Sequence, residues 1–475
     1  MNVFAEKINI TDKAPIDEPS DLKFDYILGN PPFIGKSLQN VSQKSDMEII
    51  LGGVKGAGVL DYVSAWYIKA AQYLQKHNTV SNGNNINTCV AFVSTNSIAQ
   101  GEQVGVLWNE MYNRYKIKIH FAHRTFKWTN EAKGNAGVHV VIIGFSNFDI
   151  AEKLIYEYED IKSEPHELKV KNINPYLVEG KDSLILSRSK PISDIPNLVY
   201  GNKPVDGGFL SFNTDEKNEL ILKNPLSEKY IYRLYGSQEY INNIERWCLW
   251  LVDVKPEELK KMPEVLKRIE GVKISRQNST KLATIKLADK PTLFAEIRQP
   301  NKDFLIIPRV SSERRKYIPI GKLGKDIIVN DLVSIIPDSN IFHFGILSSI
   351  MHMTWVEYVC GRLESRYRYS NDIVYNNYPW PESPSDKQKD AIEKAAQKVL
   401  DVRAVFPNSS LADLYDPLTM PPALVKAHNE LDKAVDLAYR PQPFINETKR
   451  IEFLFELYDK YTAGLFANAK PKKKR

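Results

Sequence analysis

The stretch FDYILGNPPF, residues 24–33, constrains the fold more than any other part of the sequence. Its first residues are mostly apolar and predict a short strand. Two consecutive prolines must end that strand, because neither has an N–H to donate to a sheet. The prolines also fix two backbone φ angles directly after it. The stretch therefore predicts a sheet that presents a rigid Asn-Pro-Pro-aromatic turn at its edge.

Strands and helices alternate after this turn. We predict a helix over 60–76 and a strand over 89–95, buried on both faces because its residues are continuously apolar. Two further strands, over 117–123 and 139–145, are predicted to form a hairpin. This pattern is typical of one half of an open α/β sheet, in which ligands bind at the carboxyl ends of the strands.

Composition divides the rest of the chain. We predict that the first domain spans 1–155 and that the charged stretch 156–183 is a linker. Residues 184–377 are rich in short strands, Pro, Gly and Arg, and predict an α+β domain. Residues 378–475 are predicted to be helical, with Ser385 as an N-cap, and end in a basic tail that reads most plainly as solubilising.

Charge, cysteine count and hydropathy exclude several classes of protein. Lys and Arg number 64 against 58 Asp and Glu, so the net charge of +6 is informative only where positive residues cluster. The three cysteines are widely spaced and form no CxxC, which argues against a disulfide scaffold or a zinc ribbon and for a reducing cytoplasm. No apolar run approaches 18 residues, so we expect no membrane partner.

The turn after the first strand carries groups suited to methyl transfer onto an exocyclic amine. The Asn30 side chain and the backbone carbonyl beside it both accept hydrogen bonds, and Phe33 offers a flat face to a base. Two acceptors that hold the two hydrogens of adenine N6 pull the nitrogen toward tetrahedral geometry, which frees its lone pair to attack a sulfonium methyl. The plain alternative is a structural Pro-Pro turn.

This (N/D/S)PP(F/Y/W) element resembles the catalytic motif of amino-methyltransferases that use S-adenosylmethionine, and NPPF resembles the adenine-N6 DNA enzymes. Longer stretches resemble the MmeI-like restriction-modification enzymes over about residues 24–461. Similar to their methyltransferase domain are LDYVSAWYIKAAQYL, FVSTNSIAQGEQV and FAHRTFKWTNEAKGNAGVHVVIIGF. Similar to their target-recognition domain are RLYGSQEYINNIERWCLWL and IPRVSSERRKYIPIG. Similar to the parts that follow are MTWVEYVCGRLESRYRYSNDIVYNNYPWP and LADLYDPLTMPPALVKAHNELDKAVDLAYR.

The resemblance implies a fold and a catalytic set. The fold class is α/β, the carboxyl-terminal half of a Rossmann-like methyltransferase sheet, followed by an α+β target-recognition domain and a helical carboxyl-terminal region. Asn30 and Pro31 would hold the target amine, Pro32 would complete the turn, and Phe33 would stack on the flipped base.

Four further residues are assigned through the same resemblance. Phe126 and Trp128 would cover the other side of the base, although their loop could instead be a hydrophobic lid on the core. Asp61 and Tyr62 would line the S-adenosylmethionine pocket at the head of a helix, although a helix N-cap explains Asp61 almost as well.

The part of the fold that binds the cofactor in this family precedes the catalytic motif, as a Gly-rich turn and an acidic residue. Only 29 residues precede Asn30, and Gly29 is the one glycine among them, whereas each βα unit needs on the order of 30 residues. We therefore expect an amino-terminally truncated enzyme, or one whose cofactor-binding half comes from another polypeptide. The E-x-K match at 167–169 lies in the predicted linker, so we expect no nuclease centre there.

Two Arg-rich runs predict contact with double-stranded DNA. Their basic residues are Arg298, Lys302, Arg309, Arg314, Arg315 and Lys316 in the first run, and Arg362, Arg366 and Arg368 in the second. Tyrosines alternate with the arginines of the second run, which suits a surface that follows the DNA backbone. Either run alone would also fit a solvated charged face.

The sequence thus predicts site-specific adenine-N6 methylation of DNA in a restriction-modification system, with S-adenosylmethionine as methyl donor and no metal. The alternatives are a DNA-binding specificity protein without catalysis and one part of a split methyltransferase. An RNA or protein amino-methyltransferase would leave the resemblance to a recognition domain unexplained.

Overall fold

The computed structural model describes residues 24–78, 87–128, 138–158 and 163–467. They form an amino-terminal α/β layer, a central region of three small sheets and a carboxyl-terminal helical region. Within these ranges, no helix combines the length and the apolar composition needed to cross a membrane.

The amino-terminal layer is a six-stranded sheet in the order β1-β2-β4-β3-β5-β6. β1, β2, β3 and β5 run in one direction, and β4 and β6 run in the other. The predicted hairpin of β3 and β4 is confirmed. The strands are β1 (Tyr26–Gly29), β2 (Cys89–Thr95), β3 (Lys118–Trp128), β4 (Val138–Ser146), β5 (Lys153–Glu157) and β6 (His166–Val170). The helices are α1 (Val41–Leu51), α2 (Ser64–His77) and α3 (Glu102–Asn113).

The sheet has one buried face. Buried and half-exposed residues alternate along β2, so the prediction that this strand is buried on both faces was wrong. Tyr67 of α2 packs edge-on against Phe92 with ring centroids 5.4 Å apart, and its hydroxyl lies 2.9 Å from that of Ser94. The continuous apolar run of β2 therefore corresponds to one packed face of the sheet and one face that is only partly covered.

The prediction that residues 156–183 are a linker was also wrong. They contain β6, followed by a turn closed by a bridge between Ile173 and Glu179. β6 lies at the edge of the sheet, and its first four side chains are exposed. Because an edge strand has little surface to bury, it carries charged residues and has the composition of a linker.

The central region contains sheets in the orders β14-β9-β10-β8, β13-β11-β15-β7 and β12-β17-β16. Its strands are β7 (Val199–Tyr200), β8 (Ser211–Phe212), β9 (Ile231–Tyr235), β10 (Trp247–Leu249), β11 (Phe304–Pro308), β12 (Val310–Ser311), β13 (Gly321–Leu323), β14 (Ile328–Val329), β15 (Val333–Ile336), β16 (Arg362–Leu363) and β17 (Arg366–Arg368). Its helices are α4 (Thr214–Lys223), α5 (Ser237–Asn242), α6 (Pro256–Leu259), α7 (Pro263–Gln277), α8 (Leu282–Lys286), α9 (Ile341–Leu347) and α10 (Ile350–Val359).

The carboxyl-terminal helices are α11 (Asp386–Ala404), α12 (Leu411–Leu414), α13 (Pro422–Tyr439) and α14 (Glu447–Ala467). Ser385 caps α11 in a capping box, as predicted. The helices share one hydrophobic core with the six-stranded sheet and with α9 and α10. Trp355 of α10, for example, packs 5.7 Å from Phe455 of α14 between ring centroids. The central region joins this core in part only, because β8–β10 and α7 pack around a second hydrophobic core of their own.

Candidate active site and DNA-binding surface

The Asn30–Phe33 turn lies at the carboxyl edge of the sheet. β1 pairs in parallel with β2, and Gly29 lies opposite Phe92. A Cβ on Gly29 would lie 3.0 Å from the Phe92 ring, so a larger residue here would crowd that ring. Asn30 is exposed, and its side chain has no hydrogen-bond partner among the described residues. The strand thus delivers an unengaged amide to the position where ligands bind in α/β sheets.

The two prolines and two hydrogen bonds hold the turn in place. Pro31 is buried, Pro32 is exposed, and Phe33 is half-buried beyond them. Just after the turn, the carbonyl of Ile34 accepts from the Tyr62 N–H at 2.9 Å. The Lys36 N–H donates to Asp61 Oδ1 at 3.0 Å. The segment that carries Asn30 is therefore fixed on both sides.

Asp61 is the anchor of this segment. Its second carboxylate oxygen accepts from the Ser97 hydroxyl at 2.7 Å, and its own N–H donates to Gln103 Oε1 at 2.9 Å. The N-cap residue of α2 is Val63, so the interpretation of Asp61 as a plain N-cap was wrong. Both oxygens of Asp61 are occupied in holding the turn against the loop that follows β2.

Tyr62 packs inward. Its hydroxyl donates to Asp46 Oδ2 of α1 at 2.6 Å, and its ring lies edge-on to Trp66 at 4.9 Å. Burial, with Asp46 as a second cause, raises the pKa of Tyr62 to about 12. The side chain therefore joins α1 to α2 and remains protonated at neutral pH.

Phe126 lies at the same edge as Asn30 but does not reach it. β3 runs parallel to β1, and Val140 of β4 lies opposite both Thr95 and Phe126. With strands about 4.8 Å apart, three spacings separate β1 from β3 by about 14 Å. The half-buried Phe126 ring stacks on Tyr158 at 5.2 Å. The side chain of Trp128 lies outside the described residues, as does the loop 129–137.

A cleft of about 570 Å³ separates this edge from the central region. Arg124 of β3 lines the cleft and pairs with Glu157, and its second terminal nitrogen is buried without a hydrogen-bond partner among the described residues. Glu357 lines the opposite wall of the cleft. Arg124 could not be found from the sequence, because one arginine in a strand that also carries two lysines and two histidines has no distinguishing pattern. Among the described residues, no group of His, Cys, Asp or Glu is arranged to hold a metal ion.

The two Arg-rich runs meet in one three-stranded sheet. β12 belongs to the first run, and it pairs with β17 of the second so that Val310 lies opposite Arg368. β17 then pairs with β16 to form a hairpin. Tertiary pairing therefore joins two basic segments that are distant in sequence into a single surface.

This surface differs from the predicted one in its aromatic residues. Tyr367 and Tyr369 are buried, so the expectation that they lie between the arginines on a DNA-facing surface was wrong. Side chains alternate between the two faces of a strand, which turns the tyrosines to the core and the arginines outward. Arg368 is exposed, and Arg366 pairs with Glu364 at 2.8 Å.

Several of the predicted DNA-binding residues are already engaged within the protein. Arg298 donates to a backbone carbonyl and pairs with Glu296. Arg309 donates to a carbonyl at 2.8 Å and lies 4.4 Å over the Tyr200 ring. Arg362 donates to two carbonyls at the base of the hairpin. Their guanidinium groups hold the recognition region together.

The remaining predicted residues lie in the loop after β12. Arg314 and Lys316 are exposed, and Arg314 approaches Asp416 at 4.0 Å. Arg315 is half-buried, and burial lowers its pKa. The exposed cations of the surface are thus Arg314 and Lys316 from this loop and Arg368 from the hairpin, with the half-buried Arg366 beside them in its pair with Glu364.

Three domains of the MmeI family match the chain in succession. Residues 5–157 match the MmeI DNA-methyltransferase domain, residues 179–382 the MmeI target recognition domain, and residues 384–466 the MmeI C-terminal domain.

Two relatives match over nearly the whole chain. DNA methyltransferase A of Bacillus subtilis (strain 168) is 44% identical over 438 residues, which cover 92% of this chain and 48% of that protein. The structure of the type IIL restriction-modification enzyme MmeI in complex with DNA matches with a TM-score of 0.82 and 50% identity, over 92% of this chain and 57% of that one. The chain therefore spans about half the length of the relatives it matches.

Proposed function

Because the chain is built from the methyltransferase, target-recognition and carboxyl-terminal domains of the MmeI family, and so belongs to that family, we propose that it methylates the N6 amine of a specific adenine in double-stranded DNA. The observation that carries this proposal is the exposed, unengaged amide of Asn30 in a proline-fixed turn at the carboxyl edge of the sheet. We place the activity in a restriction-modification system of the cytoplasm, where the DNA is.

The described residues supply the amine side of the reaction. The Asn30 amide oxygen and the backbone carbonyl beside it, at Pro31, accept hydrogen bonds from the two N6 hydrogens. These bonds orient the lone pair of N6 out of the ring plane. Phe33 stacks on the flipped base. As the nitrogen bonds to the sulfonium methyl, the methyl–sulfur bond would break and S-adenosylhomocysteine would leave. The surplus proton on the nitrogen would pass to solvent, so no covalent intermediate with the protein is needed.

S-adenosylmethionine would supply an electrophilic sulfonium methyl. The described residues do not fit the whole of this cofactor, since both oxygens of Asp61 are engaged and Tyr62 is buried. In residues 24–467, moreover, the outer edge of β1 has no described neighbour. We propose that further strands, of the same or of another polypeptide, pair with this edge and complete the cofactor site.

The exposed cations of the three-stranded sheet would hold the DNA. Arg314 and Lys316 neutralise phosphates in this proposal, and Arg366 and Arg368 reach the grooves from the hairpin. The Glu364–Arg366 pair presents an acceptor and a donor side by side, which suits the edge of a base pair.

A second candidate function is sequence-specific DNA binding without catalysis. It is favoured by the open edge of β1, where Tyr26 and Leu28 are 73% and 77% exposed. A chain whose cofactor half is never completed would keep the recognition surface and lose the reaction.

Transfer of a tritiated methyl group from S-adenosylmethionine to unmethylated duplex DNA separates the two functions. The chain is assayed alone and co-expressed with the upstream half of a relative, and modified bases are located by sequencing. We expect N6-methyladenine at one sequence motif. Specific DNA binding without methylation in both preparations would favour the second function, and a methylated cytosine would contradict the assignment to adenine.

A further inference from the structure

The segment 96–103 follows β2 and runs into the first turn of α3. It contacts Asp61, the anchor of the catalytic turn, and the base of the hairpin of β16 and β17, here called the recognition hairpin. Between these points it lines the cleft through Asn96 and Gln100. It therefore lies on a short path from the sheet that reads DNA to the sheet that modifies it.

On the catalytic side, the path consists of side-chain hydrogen bonds to Asp61. Ser97 and Gln103 bind the carboxylate and the backbone N–H of Asp61 at 2.7 and 2.9 Å. Asp61 in turn accepts from the Lys36 N–H, six residues after Asn30. A displacement of the loop therefore moves the anchor of the catalytic turn.

On the recognition side, the path reaches the base of the hairpin. The Gly101 N–H donates to the Val359 carbonyl at 3.0 Å, and Arg362 Nε donates to Gln100 Oε1 at 3.3 Å. The backbones of Gly101 and Gly361 touch, because a Cβ on Gly101 would lie 2.8 Å from the Gly361 Cα. Gly101 also has φ 69° and ψ −155°, a region that essentially only glycine adopts.

The loop is stiff between its two ends. The Ile98 carbonyl accepts from Nε1 of Trp108, a fully buried residue of α3, at 2.8 Å. The Ser97 hydroxyl lies 2.8 Å from that of Thr95 at the end of β2. A segment held in this way transmits a displacement from one end to the other.

We propose that residues 96–103 form a positioning link that aligns the catalytic turn with DNA docked on the recognition hairpin, with Ser97, Gln100 and Gly101 as its positioning residues. The inference rests on the proposed function. The inference goes beyond the proposed function because it assigns two properties to different residues. The exposed cations set the strength of DNA binding, and residues 96–103 set the alignment of the bound base. A misplacement of about 1 Å far from the reacting atoms can slow a reaction about 100-fold.

The main test is Gly101→Ala in the full chain within the active assembly, with Gly53→Ala as the matched control. Both glycines have a positive φ, but the added methyl of Gly101→Ala meets the Gly361 backbone, whereas a Cβ on Gly53 has no neighbour within 4 Å among the described residues. We expect kcat to fall about 100-fold in Gly101→Ala, with the Kd for target DNA and the KM changed less than threefold. An equal loss of DNA affinity and kcat would overturn the link, because it would indicate general damage to the recognition region.

A double-mutant cycle of Ser97→Ala and Gln100→Ala tests the link without backbone strain. Because Ser97 and Gln100 belong to one path of contacts, removing either side chain already abolishes the alignment of the catalytic turn with the DNA. Removing the second side chain then has no further effect. We expect each variant to lower kcat and the double variant to fall no further than the slower single variant. Independent, multiplicative losses in kcat would overturn the proposal.

Hydrogen–deuterium exchange separates failure of the link from failure of the proposed function. Binding of target DNA should slow exchange of the amides at 34–37 in wild type, including the Lys36 N–H that Asp61 holds, and should not do so in Gly101→Ala. This signal requires no methyl transfer, so a wild-type chain that binds DNA and never methylates still tests the link. Unchanged exchange at 34–37 in DNA-bound wild type would contradict it.

Discussion

In the proposed function, the catalytic turn and the recognition sheet would both present polar groups to DNA, and the structure fixes them in opposite ways. The turn is fixed locally, since two prolines set its backbone and Asp61 anchors the next few residues. The recognition sheet is fixed from a distance, since β12 and β17 come from separate segments and tertiary contacts decide which arginines stay exposed.

The difference shows what kind of information each region carries. The prolines that fix the backbone of the turn are adjacent in the sequence, so a short motif is enough to identify the turn. The availability of a guanidinium depends on its neighbours: Arg298 and Arg368 both belong to Arg-rich runs, but one is paired inside the protein and the other is exposed. The predictions below test this contrast, beginning with the largest effect.

Asn30→Ala should lower kcat for methylation by about 100- to 1,000-fold, the range seen when one preorganised hydrogen-bonding group is removed from a transition state. The Kd for target DNA should change less than threefold, because the amide acts on the reacting amine. Steady-state kinetics and DNA titration measure both. Asn113→Ala, which removes an amide that pairs with Asn109 on the surface of α3, is the control and should keep wild-type values. Wild-type turnover in Asn30→Ala would reduce Asn30 to a turn residue.

The loop after β12, which carries Arg314–Lys316, is held to α13 by a buried hydrogen bond whose acceptor carboxyl should titrate. Tyr317 follows Arg314–Lys316 and donates to Asp432 of α13 at 2.6 Å, and burial raises the pKa of Asp432 to about 6. Lys316 and Asp436 act on that carboxyl in opposite directions. Because the folded pKa lies above the ordinary value of 3.8, the folded state binds the proton more tightly.

The stability that Asp432 contributes should therefore be present below about pH 4 and be lost as pH rises to about 6. A pKa of about 6 in place of 3.8 corresponds to about 3 kcal/mol. Urea titrations measure the unfolding free energy of wild type relative to that of Asp432→Asn. This difference should fall by about 3 kcal/mol between pH 4 and pH 7. A difference that does not change with pH would mean that the carboxyl is ionised throughout.

Phe33→Ala should slow methylation more than it weakens DNA binding, because stacking on the base is gained only after flipping and is worth about 1–3 kcal/mol. Duplexes with 2-aminopurine at the target position report flipping by fluorescence. We expect a smaller signal for the variant than for wild type. Leu418→Ala, at a side chain that is 83% exposed, is the apolar control. Equal signals from wild type and Phe33→Ala would place the ring away from the base.

Arg368→Ala and Arg298→Ala form a matched pair for the recognition side. If Arg368 contacts phosphate, its loss should reduce the slope of log K against log salt by about 0.9. If it reads a base, it should weaken the specific site alone by about 1–3 kcal/mol. Arg298→Ala should leave the slope unchanged, since its guanidinium is engaged with Glu296. Equal changes in both variants would show that internal contacts do not decide availability.

The sequence was sufficient for elements whose cause is local. The turn at Asn30–Phe33, the cap at Ser385 and the β3–β4 hairpin are all predicted from short patterns, and the structure contains them. β6 was missed because an exposed edge strand has the charge of a linker. Asp61 was placed at the head of a helix, but its function as an anchor depends on Ser97 and Lys36, which folding brings to it.

The same limit explains the recognition surface. Arginine counts located the region, and they could not show that Arg309 lies over a tyrosine ring or that Tyr367 and Tyr369 turn inward. Nor could a pattern show that Gly101 meets Gly361, because the two are far apart in the chain. Contacts between distant segments are the part of this site that only the structure supplies.

The unpaired edge of β1 has a consequence for the amount of protein in a cell. In the described residues, this strand pairs on one side only and exposes Tyr26 and Leu28. Chaperones and proteases act on such apolar edges, and small differences in exposed, unstable species change steady-state abundance several-fold. If a strand outside the described residues covers that edge, the lifetime of the chain would depend on how quickly the two pair. The amount of protein able to act would then follow the supply of the covering strand.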